Sequence, residues 1–292
     1  MCVVIAKYFD DHGWVAVKNR DRNYVPEISF HRHKEKNGIE RLLFEDDVTK
    51  YMEGLNSNGV GILSASLMVV NDEKEISKSA KERSPHGLAI KKALENGSAY
   101  DAVRAAAEYK LTGNTLVIDR ENCFLLEGCL MNGEYKFKLK QIPKDQTVAR
   151  SNHGVWLDWA GYQRGVNKSQ ALSRISSEAR LAQAQYVVNQ AKDPEEMIDG
   201  LCQIYIEDPQ LNVMRTSTES KKMRTTAQIM IIPEEHTLYC RPVSSHITFD
   251  FWKLNDPKAG TWVEILSNRA LYQKQQMGDP PFSGMKIRHT TE

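Results

Sequence analysis

Cys2 is the residue whose chemistry is changed by its position. Methionine aminopeptidases remove Met1 when the next side chain is small, and cysteine qualifies. The new first residue then carries a thiol and a free α-amine together. The thiol is already a strong nucleophile as its thiolate. The amine, with an ordinary pKa of roughly 7.7–8.0, can serve as the nucleophile's own base. The other cysteines, Cys123, Cys129, Cys202 and Cys240, stand in apolar or strand-like surroundings, where a small buried hydrophobe is the ordinary reading. Their spacings are wide and contain no Cys-x-x-Cys pair, which argues against a zinc ribbon or a dithiol redox site. A second run with chemical content is Lys18-Asn19-Arg20-Asp21-Arg22-Asn23. A cation beside a thiol favours the thiolate, and a carboxylate beside an amine orients it. The bland alternative for such a run is a solvated charge cluster.

What brings the two runs together is a predicted β-hairpin. Residues 2–8 and 14–18 are rich in β-branched and aromatic side chains, and Asp10-Asp11-His12-Gly13 between them reads as a turn. In a hairpin the end of the second strand lies beside the start of the first. Asp21 and Lys18 or Arg20 are therefore expected next to Cys2. Further strands are expected around 59–70 and at 115–120, 123–128, 135–142 and 147–152, with turns at Asp119-Arg120-Glu121-Asn122 and Asn132-Gly133. Helical periodicity marks 87–95 and 99–108, a long Ala- and Gln-rich helix spans 169–192, and Asp193-Pro194 starts another over about 194–206. Strands return at 225–232, 237–242 and 246–254. Residues 20–46 read as charged and irregular, 71–86 as an exposed loop, and the tail from about 277 as an extended arm. The order of elements favours an α+β fold of antiparallel sheets in one domain over 1–292.

The pattern as a whole resembles the N-terminal nucleophile hydrolases, in particular the cholylglycine hydrolase and penicillin V acylase family and the related acyl-CoA:6-aminopenicillanic acid acyltransferase-like peptidases. Cys2 and Asp21 match the family pattern directly, while its Arg-Asn-x-Asp appears here as Lys18-Asn19-Arg20-Asp21. Gly54-Leu55-Asn56-Ser57-Asn58-Gly59 is similar to a family turn that places Asn56 near substrate, and the oxyanion Asn that follows in bile-salt hydrolases falls on Ser66. Ser151-Asn152-His153 resembles the segment whose Asn donates to the oxyanion, with His153 beside it. Ser176-Ser177-Glu178-Ala179-Arg180 matches a helical motif whose Arg reaches the active site; Arg164 and Arg174 are rivals for that role. Trp156, close behind, could wall an acyl pocket.

The resemblance implies a four-layer αββα sandwich and hydrolysis of a linear amide through a Cys2 thioester, with no cofactor and no metal. The expected partner is a small-molecule amide. Relatives are often homo-oligomers, though no segment here marks an interface. An acyltransferase using the same thioester, a dipeptidase (Lys18-Asn19-Arg20-Asp21-Arg22 resembles the Lys-Asn-Ser-Asp-Arg of such enzymes) and an inactive binding or scaffold relative are the competing readings. Composition sets the wider bounds. Hydrophobic residues are 41% and charged residues 26%, an ordinary soluble mix. Lys plus Arg (39) balance Asp plus Glu (38), so nothing in the charge points to nucleic acid or a membrane surface. The start of the chain lacks the pattern of a secretory signal, and the expected location is cytoplasmic. His31 and His33 share one side of a strand with no convincing further ligand, so no metal site is expected.

Overall fold

The computed structural model describes residues 2–24, 27–46, 48–67, 85–131, 134–217, 222–242, 250–254, 262–266 and 286–291. The hairpin of β1 (Cys2–Phe9) and β2 (Gly13–Arg22) opens the fold. Its turn needs a glycine: Gly13 has φ +67°, and a Cβ there would stand 2.5 Å from the Arg120 carbonyl oxygen. Next come β3 (Glu27–Lys34), β4 (Glu40–Asp46), β5 (Met52–Asn56) and β6 (Gly61–Ala65), then helices α1 (Pro85–Ala93) and α2 (Ala99–Glu108). A meander of β7 (Gly113–Ile118), β8 (Cys123–Met131) and β9 (Glu134–Ile142) leads to the short β10 (Val148–Arg150). Helices α3 (Lys168–Gln190) and α4 (Pro194–Gly200) precede β11 (Arg224–Ile232), β12 (Thr237–Pro242), β13 (Asp250–Leu254), β14 (Trp262–Leu266) and β15 (Lys286–Thr291).

The strands form two sheets, ordered β10-β1-β2-β11-β12-β13-β14 and β15-β3-β4-β5-β6-β7-β8-β9. Among the described residues all pairings are antiparallel except β15 with β3. Side-chain alternation along the strands makes the layers. Val4, Ala6, Trp14 and Ala16 join Leu42, Phe44, Leu55, Leu63 and Leu125 in a core between the sheets. Val3, Ile5, Val15 and Val17 turn the other way, onto Ala184, Val187 and Val188 of α3. On the far side Leu43, Ile62, Val117 and Leu126 pack on Ala89, Ile90, Ala102 and Val103 of α1 and α2. The result is helices, sheet, sheet, helices: the antiparallel α+β fold expected from the order of elements, in the four layers that the resemblance implies.

Two local expectations change. The charged stretch 20–46 contains two strands rather than irregular chain. Strand β4 is buried on both faces, and its charges are paired: Arg41 with Glu35, and Asp46 with Arg20 and Arg22. Paired charges can occupy buried strand positions that a hydropathy pattern reads as solvent. Helix α4 ends at Gly200, short of 206. There the chain presses on α3 so closely that a Cβ would stand 2.6 Å from Val187 Cγ1. Of the expected loop at 71–86, residues 71–84 lie outside the described residues, as do the Asn132-Gly133 turn and 277–285 of the tail; residues 85–86 instead open α1, with His86 buried, and the end of the tail forms β15.

Candidate active site

Cys2 stands at the very start of β1 and pairs across the hairpin with Arg20. The period-two alternation of β2 then sorts the charged run. Lys18, Arg20 and Arg22 share the inter-sheet face with the Cys2 side chain, while Asn19 and Asp21 face the helices. The three cations are met by carboxylates of the opposite sheet. Lys18 Nζ pairs with Glu53 and donates to the Ser64 carbonyl at 2.6 Å. Arg20 pairs with Asp46, its guanidinium carbon 5.2 Å from the Phe44 ring centroid. Arg22 Nε donates to the same Asp46 oxygen at 3.0 Å, and Tyr24 Oη donates to it at 2.6 Å. Arg22 Nη1 lies 3.7 Å from Cys2 Sγ and donates to the Asp21 carbonyl at 2.8 Å.

This buried cluster holds three cations and two carboxylates. A thiolate at Cys2, only 4% exposed, would bring it to neutrality. The thiol's acidity follows the same balance. Burial pushes its pKa up, but Lys18, the amino-terminal charge and Arg22 pull it down, against Asp21, to about 7. Asp46 is held well below the usual carboxylate range: burial opposes its charge, and Arg20 and Arg22 outweigh burial. Glu53 is lowered in the same way, chiefly by Lys18 acting against burial.

The backbone of Cys2 is held from the other side. Its nitrogen donates to Asn152 Oδ1 at 2.7 Å. Arg180, on the buried face of α3 with Ser177 and Ala184, donates to the Cys2 carbonyl, to Asp21 Oδ2 and to Asn152 Oδ1, each at 3.3 Å. Asp21 thus lies on the backbone side of Cys2, linked to it through Arg180, and not beside the thiol. Thr225 Oγ1 donates to its other oxygen at 2.9 Å, and Arg215 Nε lies 3.8 Å away. Asn152 Nδ2 donates to the Ser66 carbonyl at 2.9 Å and lies 3.4 Å from Ser66 Oγ, which joins two sequence candidates at one point.

The segment around Asn152 is fixed by both sheets and by α3. Asn114 of β7 donates to the carbonyls on either side of it, Ser151 at 2.8 Å and His153 at 3.1 Å. Ser177 Oγ accepts from Asn152 N at 2.9 Å and sits 2.8 Å from His153 Nδ1. Burial, then Arg174, push the His153 imidazole down to about 4, so it is neutral. Glu127 of β8 accepts from the backbone nitrogens of Val155, Trp156 and Leu157 at 2.6–3.1 Å. Trp156, so anchored, stacks 4.9 Å from the Arg150 guanidinium carbon and packs on the inter-sheet core.

Three candidates are placed elsewhere. Asn56 spends its amide on the Leu94 and Asn96 carbonyls and on the nitrogens of Asn58 and Val60, locking the β5–β6 turn to the end of α1. Arg164 and Arg174 pair with Glu178 on α3. His31 and His33 approach different carboxylates, Glu45 and Glu35, and among the described residues no group of His, Cys, Asp and Glu could hold a metal ion. A surface hollow lined by Glu121, Gln141, Pro143 and Lys144 lies near Tyr8, at the other end of β1 from Cys2.

No family profile matches the chain, and no curated protein matches it in sequence. Solved structures are similar in layout. The N-acylethanolamine-hydrolyzing acid amidase ortholog of Caenorhabditis elegans superposes over 80% of this chain and 93% of its own, with 10% identity and a TM-score of 0.48. A variant of the conjugated bile acid hydrolase of Clostridium perfringens superposes over 91% of this chain and 97% of its own, with 12% identity and a TM-score of 0.46. At such scores the likeness carries neither residue roles nor a substrate to this chain. No described helix is long and apolar enough to cross a membrane.

Sequence reasoning gave Arg22 no role of its own, and it did not reach Asp46, Glu53, Tyr51 or Arg215. Parity could have found Arg22. If Cys2 faces residue 20, residues 18, 20 and 22 all share its face, and residue 22 overhangs the strand start.

Proposed function

We propose that this protein hydrolyses a linear amide of a small molecule, with Cys2 as N-terminal nucleophile after Met1 is removed. The observation that carries this is the Cys2 thiol, set 3.7 Å from Arg22 in a buried cluster that has one more cation than carboxylates. Such a cluster favours a thiolate near neutral pH. In the first step the sulfur electron pair forms an S–C bond to the amide carbon, and the carbonyl π pair moves to oxygen. The oxygen is stabilised by Asn152 Nδ2. As the C–N bond breaks, the Cys2 α-ammonium gives its proton to the departing amine, leaving a thioester. The now neutral amine then takes a proton from water, whose oxygen attacks the thioester. The acid leaves and the thiolate is restored. Asn152 Oδ1, which accepts from the Cys2 nitrogen, aims this amine, and Arg180 with Asp21 holds the backbone behind it.

The test is alkylation of the untagged protein by trace iodoacetamide across pH, with peptide mapping, followed by an amide panel against Cys2→Ala. Met1 is expected to be absent. Cys2 should react ahead of the other four cysteines with a midpoint near pH 7, and Cys2→Ala should abolish cleavage. Retained Met1, or a Cys2→Ala variant as active as wild type, overturns the proposal. Product carrying an added amine instead of water would mark an acyltransferase.

A further inference from the structure

We propose that the Tyr51 hydroxyl is a second oxyanion donor, acting with Asn152 Nδ2 on the carbonyl oxygen attacked by Cys2. This deepens the amide-hydrolase reading and rests on it. The resemblance noted in the sequence puts an Asn donor at the position of Ser66, whose own side chain is short. The structure offers a different group there.

A closed ring of contacts carries the assignment. Arg22 lies 3.7 Å from Cys2 Sγ and sets its guanidinium carbon 5.9 Å from the Tyr51 ring centroid. The Ser66 side chain neighbours the Tyr51 hydroxyl and works against burial to lower its pKa. Ser66 Oγ is 3.4 Å from Asn152 Nδ2, and Asn152 Oδ1 accepts from the Cys2 nitrogen, which returns the ring to its start. Cys2, Arg22, Tyr51, Ser66 and Asn152 are thus linked neighbour to neighbour around the nucleophile, with two neutral donors, Tyr51 and Asn152, in the chain of contacts. Tyr51 directly precedes β5 and shares the parity of Glu53 and Leu55, so it faces the inter-sheet space. The His86 ring packs against it at 4.0 Å between centroids, tilted by 39°.

The phenol also holds its proton. Burial pushes the Tyr51 pKa up to about 12, with Arg22 opposing and the Cys2 charge adding to the rise. It is therefore a donor throughout the working range of the thiolate. In the addition step the carbonyl π pair moves onto oxygen, which accepts the Tyr51 O–H and one Asn152 N–H. No proton is transferred, and both donors are released as the C=O bond reforms and the C–N bond breaks. A preorganised neutral donor in a dry site stabilises charge that develops only in the transition state.

The experiment compares wild type with Tyr51→Phe, which keeps the ring and its stacking. The expected result is a kcat lower by about 100-fold, with KM within about threefold. Iodoacetamide needs no oxyanion, so its rate at Cys2 and its midpoint near pH 7 should be retained. A short aldehyde such as butanal, which adds to Cys2 as a hemithioacetal, should bind at least about tenfold more weakly to the variant. Wild-type kcat and aldehyde affinity in Tyr51→Phe overturn the proposal. So does a loss of turnover that merely follows a shifted alkylation midpoint, because Tyr51 would then act only by packing Arg22. If wild type cleaves no amide, the amide-hydrolase reading fails by itself, and aldehyde affinity still decides the role of Tyr51.

Discussion

At Cys2 two cations act on one sulfur by different routes. Lys18 is a compact charge held by Glu53 and the Ser64 carbonyl, so it works on the thiol at a distance. Arg22 is a planar fork that reaches the sulfur with Nη1 while Nε stays on Asp46. The division suits the side chains, since only a guanidinium can bind a carboxylate and a thiolate with separate nitrogens. Arg22→Gln removes the nearer charge and leaves Asp46 paired with Arg20 and with the backbone nitrogens of Val48 and Thr49. The variant is expected to fold, and its Cys2 alkylation midpoint should rise from near 7 by about one pH unit or more. Because the nucleophile is the ionised form, the acid limb of kcat/KM should move up by the same amount. A midpoint unchanged within experimental error would assign the thiol's acidity to Lys18 and the amino-terminal charge, not to Arg22. Cys2 stood out in the sequence by its position, and Asn152 and Arg180 only through the resemblance; the structure brings the three together by hydrogen bonds. Arg22 was visible only as the end of a motif, since its role depends on which face of β2 it occupies.

At the scale of the element, β2 shows why a charged run can close a buried strand. All ten of its residues are buried, and Lys18, Arg20 and Arg22 find carboxylates on β4 and β5 of the other sheet. The hairpin, α2, the long α3 and β12 could be read from periodicity, propensity and capping, since those signals are local. The partners of β2 could not. Glu53 and Asp46 lie on strands whose charges look solvent-facing until the second sheet is in place, and pairing across sheets leaves no local sequence pattern. The Lys18–Glu53 pair gives the corresponding prediction. Lys18→Met strands a buried carboxylate and should cost about 3–5 kcal/mol. Lys18→Met with Glu53→Leu removes both charges and should regain most of that loss in urea unfolding. The double variant should still show a raised Cys2 midpoint, since Lys18 acts on the thiol directly and Glu53 is not among the charges that shift it. A double variant no more stable than Lys18→Met would mean that lost packing, rather than the stranded charge, sets the cost.

For the molecule as a whole, the four layers bury two imidazoles as well as the charged cluster, and these govern how the fold responds to acid. His153 lies against Ser177 with Arg150, Arg174, Glu178 and Arg180 around it, and its pKa falls to about 4. His86 stacks on Tyr51, with Glu53, Lys18 and Arg22 nearby, and burial leads its fall to about 3. Both groups titrate near 6.5 once unfolded. Between about pH 6.5 and 4 the unfolded chain therefore binds two protons that the folded one refuses. The stability these neutral imidazoles confer is complete above that window and is lost as pH falls through it, at about 2–3 kcal/mol per pH unit near pH 5. Asp46 and Glu53, whose folded pKa values are lowered, add their own loss only below about pH 4, where unfolded carboxylates begin to protonate. The Cys2 thiolate has its effect at the other end, between the ordinary thiol value and about 7. Acid unfolding should accordingly begin with the two imidazoles, above the range in which Asp46 and Glu53 contribute. Urea midpoints at pH 7, 6 and 5 should fall steeply, and His153→Gln, which can still hydrogen-bond Ser177, should remove about half of the slope. A midpoint that holds from pH 7 to pH 5 would show that the imidazoles take up protons without unfolding the sandwich, by local opening around α1 or the 151–157 segment. Hydrogen exchange there would then rise in the same pH window while the rest of both sheets stayed protected.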